Sequence, residues 1–198
     1  MVRADSNIQT LDDLSGHTVS IGAEESGTER NATQILEFAG MPSSLVATKN
    51  LDYIEATKEL KAGDIDAFFC TAGLTTTVID ELSKECDIRL IPLTDTVISK
   101  MLESSLAYTS EVIPAGTYTG QTTDISTIGV KSVLITKADV SDDTIEQLTS
   151  LLFEKENEIS YSNSLKLELT YDFATDDIPI PFHDGAKRYY KACGYSTN

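Results

Sequence analysis

Three short stretches combine hydroxyls, glycines and small side chains: Gly22 to Glu29, Thr71-Ala72-Gly73-Leu74-Thr75, and Pro92-Leu93-Thr94-Asp95. None contains Lys or Arg. They offer O–H groups and backbone amides to a small polar molecule, without fixed positive charge. That is a chemistry of recognition rather than of bond breaking. In an open parallel α/β sheet, ligands bind beyond the carboxyl ends of the strands, because helix amino termini and free loop amides converge there.

The spacing G-x-x-x-x-G from Gly22 to Gly27 invites a nucleotide reading, and the next two residues refuse it. A phosphate-binding loop continues with Lys, to neutralise phosphate, and then Ser or Thr, to hold magnesium. Here those places hold Thr28 and Glu29, and Glu24 and Glu25 add negative charge inside the loop. Ser26 and Glu29 also fit a helix capping box, in which Glu29 reaches back to the cap's own amide. A cap contributes about 1 kcal/mol and is enough to account for both residues. Ser26 and Thr28 thus read either as cap and first turn or as ligand contacts, and Thr71 reads either as a turn residue or as a contact.

A catalytic reading centres on Cys70, which ends a strand at the sheet's functional edge. A nucleophilic thiol needs a base. His17 and His183 are the only histidines. His17 precedes the first strand, which points to the opposite end of the sheet, and His183 lies in the tail. The plainer account of Cys70 is a small apolar strand residue. Cys70, Cys86 and Cys193 lie far apart with no C-x-x-C, so they form neither a zinc pattern nor a disulfide framework. Two histidines make no metal set, and no carboxylate pair stands out. Neither a cofactor nor a metal is expected, and the chain reads as a non-enzyme.

The elements that must position these loops follow from periodicity. A short opening turn at Thr10 to Leu14 leads through Gly16 into a strand at Thr18 to Ile21. Ala32, Ile35, Leu36 and Ala39 then fall at i, i+3, i+4 and i+7, one apolar stripe of a helix capped by Ser26 and stopped by Gly40 and Pro42. A strand at Leu45 to Thr48 follows. Asp52 with Glu55 then caps a helix bearing Tyr53, Ala56 and Leu60, and Gly63 ends it. Ile65 to Cys70 reads as a buried strand. Next come a helix through Val78, Ile79 and Leu82, a strand at Ile88 to Ile91, and a helix from near Asp95 carrying Val97, Ile98, Met101 and Leu102. Strands alternating with helices predict a parallel sheet with right-handed crossovers.

The alternation breaks at Pro114 to Gly120, where a lobe boundary is expected. Beyond it, Ile128 to Thr136 reads as a strand. Ser141 caps a helix on which Ile145, Leu148 and Leu152 share a face. Residues 157 to 178 are poorly periodic, and Pro179-Ile180-Pro181-Phe182 leads into a final helix with Ala186, Tyr189, Tyr190 and Cys193.

Composition agrees with this picture and removes other classes. With 198 residues, 40% of them hydrophobic and 24% charged, the chain is an ordinary globular one. Against 15 Lys and Arg stand 32 Asp and Glu, a net charge of −17, which repels nucleic acid and anionic lipid surfaces. No apolar run is long enough to span a bilayer. Met1 to Ser6 lacks the features of a signal peptide.

Ser20-Ile21-Gly22-Ala23 running through Ser26-Gly27-Thr28-Glu29 into a helix, then Leu60 to Phe69, then Thr71-Ala72-Gly73, resembles the TAXI family of TRAP transporter solute-binding proteins. Later segments extend the likeness in order: Ile113 to Tyr118, Ile128 to Val130 through Leu134 to Asp139, and Pro179-Ile180-Pro181 with His183, Gly185, Ala186, Arg188, Tyr189 and Tyr190. The resemblance implies a periplasmic-binding-protein-like fold of type II, with two α/β lobes that close on a small solute and deliver it to a membrane permease. It implies a glutamate-like amino acid or a dicarboxylate as ligand. Carried onto this sequence, it places Gly22, Ser26, Gly27, Thr28, Thr71, Ala72 and Gly73 at that ligand.

Two departures from the family pattern stand out. Glu24 and Glu25 occupy positions where members usually carry Gly or Pro. Members also begin well upstream, with a signal sequence and the first part of lobe one. The expectation is a chain holding all of lobe two, at residues 6–122, and only the C-terminal return segment of lobe one, at residues 123–198. The surface left uncovered would favour self-association. The family is periplasmic or extracytoplasmic. Other readings are a sensory or surface-antigen module of the same fold and, further off, a thiol hydrolase using Cys70.

Overall fold

The computed structural model describes residues 1–154 and 169–197. The chain separates into two compact units, Met1–Gly129 and Val130–Asn198. The first unit is built on a mixed five-stranded sheet of order β3-β2-β4-β1-β5. Its strands are β1 (Val2–Arg3), β2 (Thr18–Ser20), β3 (Ala47–Lys49), β4 (Ala67–Phe68) and β5 (Ile88–Arg89). β2 pairs in parallel with β3 and β4, while β1 runs antiparallel to both β4 and β5. β5 therefore points the same way as β2, β3 and β4.

The α/β alternation expected from the sequence is present, with corrections at the strands. β1 lies between β4 and β5 and was not foreseen, because two residues carry no period. The expected strands at Leu45 to Thr48, Ile65 to Cys70 and Ile88 to Ile91 shorten or shift to β3, β4 and β5. A 3-10 turn at Asp12–Leu14 matches the opening turn.

Four helices cover the sheet: α1 (Gly27–Phe38), α2 (Tyr53–Ala62), α3 (Thr77–Glu85) and α4 (Asp95–Ser104). Two apolar clusters show how. Val19, Ile21 and Ala67 pack with Ala32, Ile35 and Leu36 of α1 and Val97, Ile98 and Met101 of α4. Phe68 packs with Ala56 and Leu60 of α2 and Leu82 of α3. Adjacent residues of β4, Ala67 and Phe68, enter different clusters because side chains alternate across a strand. The α2 cap matches its sequence signature. The Asp52 carboxylate accepts from the Glu55 amide at 2.8 Å, the Glu55 carboxylate accepts from the Asp52 amide at 3.4 Å, and Gly63 closes the helix at φ 81°.

After α4, β6 (Tyr108–Ile113) and β7 (Ile125–Val130) form a two-stranded ribbon. β6 was not read from the sequence, and β7 corrects the strand expected at Ile128 to Thr136. Val133, Leu134 and Ile135 have strand-like side chains but no ladder among the described residues, and the last two are 68% and 73% exposed. Propensity without a pairing partner does not make a strand.

The second unit contains α5 (Asp142–Glu154), a short helix α6 (Tyr171–Thr175) and α7 (Asp184–Ala192). Ser141 caps α5 as expected, accepting from the Thr144 amide at 3.2 Å. Its buried residues are Ile145 and Thr149, and Leu148, expected on the packed face, is 40% exposed. α6 falls within the segment read as aperiodic, and the part of that segment at 157–168 lies outside the described residues. α5 packs on α7 through Gly185, where a Cβ would overlap the carbonyl oxygen of Asp142 and sit 2.9 Å from its carbon. Backbone leaves no room for relaxation. We predict that Gly185→Ala lowers the urea stability of this unit by about 1–3 kcal/mol; an unchanged unfolding midpoint would contradict the contact.

Candidate functional site

The parallel register aligns Ser20 with Lys49 on one side and Phe68 on the other, so β2, β3 and β4 end at one edge. The segments that leave it are Gly22 to Ser26, Asn50 to Asp52, and Cys70 to Thr76. Two of the three loops singled out in the sequence therefore lie side by side. The third, around Thr94, caps α4: its hydroxyl accepts from the Val97 amide at 3.3 Å, and the Leu93 amide donates to the Ser126 carbonyl at 2.9 Å.

In the first loop, Gly22 adopts φ 101°, and a Cβ there would come within 2.7 Å of the Thr28 Cβ. Only glycine permits this approach. Ser26 caps α1, accepting from the Glu29 amide at 3.1 Å. The reciprocal half of the expected capping box is absent. The Glu29 carboxylate instead accepts from the Glu25 amide at 2.6 Å and from Asn50 Nδ2 at 2.8 Å. Glu25 has φ 61°, a left-handed conformation that costs a side-chain-bearing residue of order 1–3 kcal/mol, and Glu29 holds it. Asn50 Nδ2 also donates to the Gly22 carbonyl at 3.1 Å, tying the second segment to the first. Glu24 and Glu25 are exposed.

Thr28 is buried at 5% exposure, and its hydroxyl lies 2.6 Å from the Tyr53 phenol oxygen. The same oxygen accepts from the Thr71 amide at 3.2 Å and donates to the Thr71 carbonyl at 2.9 Å. The Thr71 hydroxyl accepts from Asn31 Nδ2 at 3.3 Å, and Asn31 Oδ1 accepts from the Tyr108 hydroxyl at 2.9 Å. Beneath the third segment, buried Tyr118 is hydrogen-bonded to the backbone of Thr76 and Thr75.

Of the residues singled out from the sequence, Gly27, Thr71, Ala72 and Gly73 are exposed, Ser26 is half-buried, and Gly22 and Thr28 are buried. Tyr53, Asn31, Asn50 and Tyr108 were missed. Tyr53 carries the one usable signal, an aromatic with a polar tip in the first turn of a helix that leaves the carboxyl edge of the sheet. Chemically, Ser26 and Thr71 each accept one internal hydrogen bond, and each has an O–H that suits an acceptor atom on a solute.

Burial pushes the Cys70 thiol up from 9.0 to about 11, partly offset by its hydrogen bond with Tyr53. The histidines lie elsewhere. His17 sits ahead of β2 beside Asp66, 3.2 Å from Nδ1 to the carboxylate, and His183 caps α7 by accepting from the Gly185 amide at 3.1 Å. Among the described residues no group of three His, Cys, Asp or Glu is placed to hold a metal ion, and no helix is long and apolar enough to cross a membrane.

The first unit is thus a mixed α/β sheet with polar loops at the carboxyl ends of its parallel strands. A model of the NMT1-like family matches residues 1–194, and the chain belongs to that family. Among solved structures the chain is similar to the periplasmic aliphatic sulphonate binding protein SsuA from Escherichia coli, at 17% identity and a TM-score of 0.47. That likeness covers 79% of this chain and 42% of the other, so the chain spans less than half of that protein's length.

Because a thiol whose pKa is raised on folding favours the neutral form, its contribution to stability holds below pH 9 and is lost as pH climbs toward 11. The native thiol therefore stays protonated at pH 8. We predict slow alkylation of native Cys70 by iodoacetamide at pH 8, and fast alkylation in urea. Fast reaction in the native state would revive the nucleophile.

Proposed function

We propose that the protein is the extracytoplasmic solute-binding subunit of a TRAP-type transporter of the TAXI group. It holds a small polar solute, an amino acid such as glutamate or a dicarboxylate, and passes it unchanged to a membrane permease. One observation carries this reading: the Ser26 and Thr71 hydroxyls stand on adjacent loops at one strand edge, each with a proton suited to a carboxylate oxygen. The orphan amides in the first turn of α1 favour the same partner. The ordered motifs from Ser20 to Tyr190 support the transporter type. On this reading residues 6–122 are lobe two, and 123–198 are the C-terminal return segment of lobe one. Exposed Val133, Leu134, Ile135, Leu148 and Leu151 in the second unit support self-association.

Isothermal calorimetry against glutamate and C4 to C5 dicarboxylates tests the reading. Thr71→Ala and Ser26→Ala are each expected to weaken the affinity about tenfold, the loss of roughly one hydrogen bond. Ser26→Ala also lowers helix stability by about 1 kcal/mol through the lost cap, whereas Thr71 caps nothing. Unchanged affinity in both variants would move the site elsewhere. Light scattering of the free protein checks the self-association, and a clean monomer at micromolar concentration would contradict it.

A further inference from the structure

We propose that Tyr53 is the positioning residue of this edge: it touches no solute, yet it sets solute affinity by fixing the Thr71 to Gly73 loop against the start of α1. The inference rests on the solute-binding reading and goes one step inside it.

The geometry is that of a clamp. A loop residue is usually held by one neighbour, but Thr71 is held by both its amide and its carbonyl, at 3.2 and 2.9 Å, on one phenol oxygen. A phenol has one proton and two lone pairs. The Thr71 carbonyl can only accept, so the proton goes there. The Thr71 amide takes one lone pair. The second lone pair faces the Thr28 hydroxyl at 2.6 Å, which makes Thr28 the donor in that contact. The Tyr53 oxygen thus bonds both Thr71 and Thr28, with the Cys70 thiol as a further neighbour, and a buried residue of α1 is coupled to an exposed loop.

Asn31 supplies the other jaw. Its Nδ2 reaches the Thr71 hydroxyl at 3.3 Å, and Tyr108 of β6 holds its Oδ1 at 2.9 Å. Backbone and side chain of Thr71 are thus both tied, which anchors the loop at the residue from which Ala72 and Gly73 continue. Binding to a loop ordered in advance loses less conformational freedom than binding to a mobile one. Removal of a single hydroxyl should therefore cost affinity at atoms the hydroxyl never meets.

Tyr53→Phe deletes the oxygen and keeps the ring on α2. Hydrogen exchange of the Thr71 amide in the ligand-free protein is read first, by nuclear magnetic resonance. An acceleration of tenfold or more in the variant is expected, with the melting temperature lowered by no more than about 4 °C. An unchanged exchange rate overturns the proposal. Calorimetry with L-glutamate and with succinate is read second. Whichever probe binds the wild type should bind Tyr53→Phe at least tenfold more weakly. A melting temperature that falls while the dissociation constant stays put marks Tyr53 as merely structural and overturns the proposal. If neither probe binds the wild type, the solute reading fails for these two classes, and the exchange rate alone decides the clamp. Should Tyr53→Phe not fold, Thr28→Val removes one arm of the same oxygen while preserving the packing on Gly22. It is judged by the same two readouts, with a smaller expected change in the same direction.

Discussion

The parallel pairing of β2 with β3 and β4 governs the arrangement of the candidate site. Ser20 opposite both Lys49 and Phe68 brings three strand ends to one line. The loops that follow emerge within hydrogen-bonding distance of one another. A slip of one residue would turn Val19 out of its apolar cluster and Ser20 into it, so burial itself fixes the register. The polar contacts come afterwards. Asn50, Glu29 and Tyr53 stitch loops that the sheet has already brought close, and each stitch is a side chain reaching backbone or side-chain atoms of a neighbouring segment.

Much of this was legible in the sequence where a local rule applied. The stripe of Ala32, Ile35 and Leu36 is buried as its spacing requires, and the Asp52, Glu55 and Gly63 signals of α2 are all realised. The loops after β2 and β4 were singled out by position and composition, and they adjoin. What was not legible depends on partners distant in the chain. β1 has too few residues to show a pattern, and it exists because β4 and β5 leave a place between them. Glu29 satisfies the spacing of a capping box, but Asn50 and the strained Glu25 compete for its carboxylate and win. Tyr53 sits at a helical spacing that suits the core, and its ring concealed the more consequential oxygen at its tip. Val133 to Ile135 shows the reverse error, strand chemistry without a neighbour to complete it.

The electrostatics of the edge follow from the same economy of charge. Its loops carry no Lys or Arg, and their carboxylates either serve the fold, as Glu29 does, or face solvent, as Glu24 and Glu25 do. On the proposed reading, recognition then falls to hydroxyl protons and backbone amides. Such groups discriminate by geometry and depend on how firmly they are held. Gly22 gives room to the Thr28 side chain, and the phenol of Tyr53 bonds its hydroxyl.

The most direct test of this account is a residue-resolved amide titration of the isotopically labelled protein with L-glutamate and with succinate. If the paired loops form the recognition surface, the largest chemical-shift changes will gather at Gly22 to Thr28 and at Thr71 to Gly73, saturating together at one dissociation constant. Shifts concentrated in the second unit, with those two loops silent, would contradict it.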